Sequence, residues 1–297
     1  MILDMSDQFS EFGIFGPKSL AWKIHSHPSG WIGGIRALLM QAMEPRAMAG
    51  VAQFSQFDEN AWQRFRTTSE FVMTITYKSR PEAEAAIAHV RKIHEPIVGV
   101  DPYTNRPFNA NDPYLLAYVH NCLVDSLLAA YMTFGQRLLQ REQNQYVAEM
   151  CEVGRLIGAD QTELPMTASA LAGWLRARKG LFITHEARLA AETLRNINLY
   201  PYLRQLWSVA WNASLSIMPP YASELYGFDI SGSSAVVHKE LARIIARTMR
   251  MTLPSHPYYR EAKFSFYDRY SQNEAQRCLS QIEQLVADLI TIATSGR

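Results

Sequence analysis

His94, Arg64 and Thr68 are the side chains whose types and spacing best suit chemistry. A neutral imidazole is a metal ligand or a proton carrier. A guanidinium holds anions through paired donors, and a hydroxyl both donates and accepts. Arg64 and Thr68 lie four apart and so share one face of a helix. Two further residues belong beside them. His120 is the rival ligand, and Arg36 is a cation set among apolar neighbours, suited to pairing with an anionic group. Each has an ordinary alternative. A histidine in the last turn of a helix can serve as a dipole partner, an inward histidine as a hydrogen-bonded core group, and an arginine can bury its stem and keep its head in water.

The elements that must position these groups form a helical hairpin over 58–99. The first helix is predicted from Glu59 to Tyr77, with Ala61, Phe65, Thr68, Val72 and Ile75 on the buried stripe. Ser79 with Glu82 makes a capping box, and Pro81 falls in the first turn, where its missing N–H is harmless. The second helix puts Ala83, Ala86, Ile87, Val90 and His94 on one face, turns His89 away, and stops at Glu95-Pro96. His94 lies as far beyond Ser79 as Arg64 lies before it, so an antiparallel pair brings the two level.

Other site chemistries lack their motifs. None of the eight histidines has an acidic residue three places before it, which removes the carboxylate-bridged di-iron pattern. There is no His-Glu-x-x-His helix, Cys-x-x-Cys-His, phosphate-binding glycine loop or Gly-x-Ser-x-Gly elbow. The pair His25 and His27 in a Pro-Ser-Gly loop has no carboxylate or cysteine beside it, and is expected to be solvated.

Three segments in order resemble the latex-clearing protein and MpaB-type oxygenase family. Arg64, Thr68 and His94-Glu-Pro-Ile-Val-Gly99 are similar to its Arg-x-x-x-Thr step and His-x-x-Val-x-Gly signature, with the valine shifted one place. Gly33-Gly34-Ile-Arg36-Ala37-Leu38-Leu39-Met-Gln41 resembles its GG-x-RALLLQ run, with Ala49-Gly50-Val51 as the continuation. Asp112-Pro113 through Val119-His120 resembles its DP…WVH helix. The resemblance covers 20–150 and is faint beyond. It implies a globin-like helical core holding haem b, and an oxygenase that acts on a hydrophobic, isoprenoid-like substrate with dioxygen. His94 would ligate the iron, Arg64 and Thr68 would lie beside the haem, and Arg36 would suit a propionate. Thr67 stands where the latex-clearing branch has a distal lysine, and that branch's glutamate base has no clear counterpart. Glu44 and Phe54 stand where the family commonly has histidines. A rubber substrate does not follow. A non-catalytic haem- or lipid-binding protein, or a member that has lost activity, remains the alternative. An inward imidazole among apolar walls suits haem iron on its own chemistry, since such walls exclude water and the ligand sets the electronics of the metal.

The whole chain fits this setting. Of its 297 residues 48% are hydrophobic and 19% charged, enough for a large core and too apolar for disorder. A net charge of +1 argues against a nucleic-acid partner. Cys122, Cys151 and Cys278 have no paired spacing, so reduced thiols are expected. The acidic N-terminus is unlike a signal peptide, and no apolar run of about eighteen residues is evident. A cytoplasmic protein without a transmembrane segment is expected. The fold class is all-α, one large helical domain over 1–297 with an arm at 1–17. Asp112 should cap a helix carrying Leu116, His120, Leu123, Leu127, Ala130 and Phe134 on one face. A helix over 136–157, helices opened by Thr167 and Thr184, and an aromatic stretch over 201–227 complete the body. Trp207 and Trp211 there are either core or the wall of an apolar pocket.

Overall fold

A computed structural model describes residues 12–54, 57–197, 201–228, 233–252 and 256–266. Before the hairpin come α1 (Leu20–His25), α2 (Gly30–Gln41) and α3 (Pro45–Phe54). The hairpin itself is α4 (Phe57–Tyr77) and α5 (Arg80–His94). Two short strands, β1 (Val98–Val100) and β2 (Pro107–Asn109), separate it from α6 (Pro113–Phe134) and α7 (Gln140–Ile157). There follow α8 (Ala168–Arg176), α9 (His185–Arg195), α10 (Pro201–Leu215), α11 (Pro220–Tyr226) and α12 (Ser233–Thr252). A last described helix covers 257–266. The protein is all-α, as its periodicity predicts.

The start signals act where they stand. The Ser79 hydroxyl accepts from Glu82 N, and Glu82 returns the bond to Ser79 N at 3.0 Å. Asp112 accepts from Tyr114 N at 2.8 Å, with Pro113 next in line. Thr167 and Thr184 accept from Ala170 N and Ala187 N. Two places depart from expectation. Residues 98–109, in a chain expected to be all-α, hold two short antiparallel strands, paired Val98 to Asn109 and Val100 to Pro107. Their turn is closed by buried Asp101, which accepts from Tyr103 N and Thr104 N. In addition α7 starts at Gln140 rather than near 136. Gly135 ends α6, and Glu142 holds the Leu139 N–H at 2.7 Å.

The core is centred on α2 and α6. Ile35, Leu39 and Met40 meet Tyr118, Leu127 and Leu128, and Tyr146, Met150, Leu171, Trp207 and Trp211 close around them. The helices approach closely because Gly33 has no side chain. A Cβ there would sit 3.0 Å from Ser126 O and 3.1 Å from Leu127 Cα. At Gly34 it would strike the Phe65 ring of α4 at 2.9 Å. Arg36, one turn on, is buried and tied down on all three of its nitrogens. It donates to Ile217 O at 2.9 Å, Ser126 Oγ at 2.6 Å and Asp125 Oδ2 at 2.7 Å. The sequence reading overlooked α6 as a long apolar run. By length and composition it could cross a membrane, but 72% of that window is buried here, and it is the central core helix.

The aromatic stretch resolves toward core. Trp207 and Trp211 are both 4% exposed, and the Trp207 indole donates to Leu194 O at 2.8 Å. The Trp207 ring meets Phe65 edge-on at 5.2 Å and Trp62 at 5.9 Å, which ties α10 to α4.

Candidate functional site

His94 ends α5, and the helix is placed by burial of Ala83 and Ile87 against Ile75 and Val153. His89 is exposed, on the other side of the helix, whereas His94 is half-buried. Burial lowers the His94 pKa below its usual 6.5, opposed by Asn111, so the ring is neutral at neutral pH. Its Nδ1 is buried and makes no hydrogen bond of good geometry, although the Asn111 side chain is close enough to hold the pKa up. The amide of Asn111 faces the ring. Its nitrogen donates to Arg91 O at 2.9 Å, and its buried Oδ1 also has no partner. These two orphan atoms complement each other. A small approach would let Nδ1–H donate to Oδ1, which fixes the tautomer and leaves Nε2 with a free lone pair.

The other expected residues fall differently. Thr67 and Thr68 of α4 are exposed, and Thr68 lies off the buried stripe held by Phe65, Val72 and Ile75. The Arg64 side chain lies outside the described residues. The hairpin exists, but no described contact joins His94 to Thr67 or Thr68. Arg36 is tied to Asp125, Ser126 and Ile217, so two of its five N–H groups remain for any anion. His120 is buried between α6 and α7, hydrogen-bonded to the Met150 backbone, with its pKa lowered to about 4 by burial. A Cβ on Gly154 would come within 3.2 Å of its ring, so the imidazole is tightly packed.

Several polar groups that matter were misjudged or missed. His25 and His27, expected to be solvated, are 2% and 7% exposed. His25 bridges Thr76 Oγ1 at 2.8 Å and Tyr146 OH at 3.1 Å, and His27 Nδ1 pairs with the Ser29 hydroxyl at 2.9 Å. Glu44 is buried and holds Arg46 Nε at 3.1 Å, and Arg46 reaches Asp112 at 3.4 Å. The Glu44-x-Arg46 spacing at the start of a helix was the available signal. Phe54 is exposed and edge-on to Phe108 at 6.5 Å. Among the described residues no group of three or more His, Cys, Asp or Glu could hold a metal ion. Any metal bound at His94 must therefore bring most of its own ligands, as iron in a porphyrin does.

Neither the curated proteins nor the solved structures contain a match to the chain. The family model described as ER-bound oxygenase mpaB/B′/rubber oxygenase, catalytic domain, matches residues 22–251, and the chain belongs to that family.

Proposed function

We propose that this oxygenase-family chain binds haem b through His94 and oxidises a small hydrophobic, isoprenoid-like alkene with dioxygen. One observation carries the choice of ligand. Among the described histidines, only His94 has a buried ring nitrogen without a hydrogen bond, and it faces the unpaired Asn111 oxygen that would fix the tautomer presenting Nε2 to a metal. A bound haem would supply activation of dioxygen at its iron. The protein's part is to keep the imidazole neutral by burial and to orient it through the Asn111 oxygen. Apolar side chains lie exposed in and near this segment. Ile93 and Val98 are each 50% exposed and Phe54 48%, and they offer apolar contact to a flat macrocycle or an alkene. Arg64 and Thr68 stand, by family resemblance, on the haem side of α4. Thr67 places a neutral hydroxyl where the latex-clearing branch has a cation, so oxygen would meet a hydrogen-bond donor without a full charge.

The same departure favours a second reading, in which haem is held without turnover. Oxygen uptake separates the two. Haemin-reconstituted protein given a short isoprenoid alkene should consume dioxygen and yield carbonyl products. Haem retention with no alkene-dependent uptake would reduce the role to binding.

A further inference from the structure

We propose a second ligand site, for a small phosphate-bearing dianion, in a cleft between the start of α3, the β1–β2 turn, the start of α6 and the end of α8. It is independent of the haem proposal. The cleft holds about 390 Å³ and is lined by Glu44, Arg46, Thr104, Arg106, Tyr114 and Lys179. Three cations face it against one carboxylate, and they differ in how they are used. Arg46 is buried, neutralised by Glu44 and Asp112, and forms a rigid inner wall. Arg106 and Lys179 approach from separate elements, are exposed, and pair with no described acid. The Tyr114 ring has Arg46 over it at 5.3 Å and Arg178 at 5.8 Å, so its quadrupole already stabilises positive charge.

Converging cations without an acid repel each other, and an anion between them removes that cost. Arg106 and Lys179 supply two charge-assisted donors for a phosphate monoester, which carries about −1.5 to −2 at neutral pH, while Glu44 and Asp112 together exceed Arg46 by one charge on the inner wall. The cations on its lining suit an anion rather than the alkene proposed at His94, so the two sites select different chemistry.

Calorimetric titration of the full chain with inorganic phosphate, at low ionic strength and neutral pH, tests the site. The expected result is saturable one-site binding that sulfate competes for and chloride does not. The double variant Arg106→Gln/Lys179→Gln should weaken it at least about ten-fold, since both charge-assisted donors are lost. Lys92→Gln, an exposed cation on α5, should leave it unchanged. Both altered positions are on the surface, and unchanged circular dichroism would show the variant folded. Absence of saturation up to the order of tens of millimolar phosphate would overturn the proposal. So would binding that the double variant leaves intact, which would mean an adventitious ion only. Malonate binding more tightly than phosphate would overturn the phosphate assignment.

Discussion

Acidification from pH 7 to pH 5 should destabilise the fold by roughly 6 kcal/mol, through three buried histidines at roughly 2 kcal/mol each. Burial lowers the pKa of His25 to about 3, of His27 to about 4 with help from Arg250, and of His120 to about 4. The sign follows from which state binds the proton. Below the ordinary value of 6.5 the unfolded chain takes up protons that the folded chain refuses. The stabilisation is complete above pH 6.5 and falls until the folded-state values near 4 and 3 are reached. Typical domains have about 5–15 kcal/mol in all, so acid unfolding between pH 4 and 6 is expected. Urea unfolding at pH 7, 6 and 5 measures the slope. His120→Gln, which can keep a donor toward Met150 O, should remove about a third of it. A stability independent of pH over this range would mean that these rings are solvated.

Replacing Arg36 by alanine should cost about 3–5 kcal/mol, because it leaves Asp125 largely buried without its counter-charge. The pair is close, 2.7 Å, with the two side chains 4% and 18% exposed. The variant also removes donors from Ser126 and Ile217, so part of the loss is unsatisfied hydrogen-bonding capacity. The partner change tells the contributions apart. Arg36→Met with Asp125→Asn should recover at least about 1 kcal/mol of the loss, since no buried charge is left. Urea midpoints read both. A loss below about 1 kcal/mol for Arg36→Ala would match a surface pair and contradict the buried arrangement.

What could be read from the sequence was local. Ser79 with Glu82, Asp112, Thr167 and Thr184 cap helices through bonds to residues two or three away, so the signal and its partner lie in one short window. Three-four periodicity turned His120 inward and His89 outward, as observed. Contacts across the chain were not readable in this way. His25 and His27 look like loop histidines until Thr76 and Tyr146, 51 and 121 residues away, supply the partners of His25. The strands β1 and β2 have three residues each, too few for alternation to register. Thr68 fits the spacing of the buried stripe, yet only tertiary packing decides how wide that stripe is. Arg36 was read for an external anion because Asp125, its internal one, lies 89 residues further on. His94 was picked out by position and by resemblance, but its unpaired Nδ1 and the facing Asn111 could come only from the folded chain.

The absorption spectrum of the wild type, His94→Ala and His120→Ala, each purified and supplied with haemin, tests the central claim most directly. The wild type should show a Soret band of protein-bound haem. His94→Ala should lose that band or shift it, with imidazole added to the solution restoring part of it. His120→Ala should keep the wild-type spectrum, since that ring is already held by Met150 in the core. A wild type that stays colourless with haemin would contradict the account. So would an unaltered Soret band in His94→Ala alongside its loss in His120→Ala.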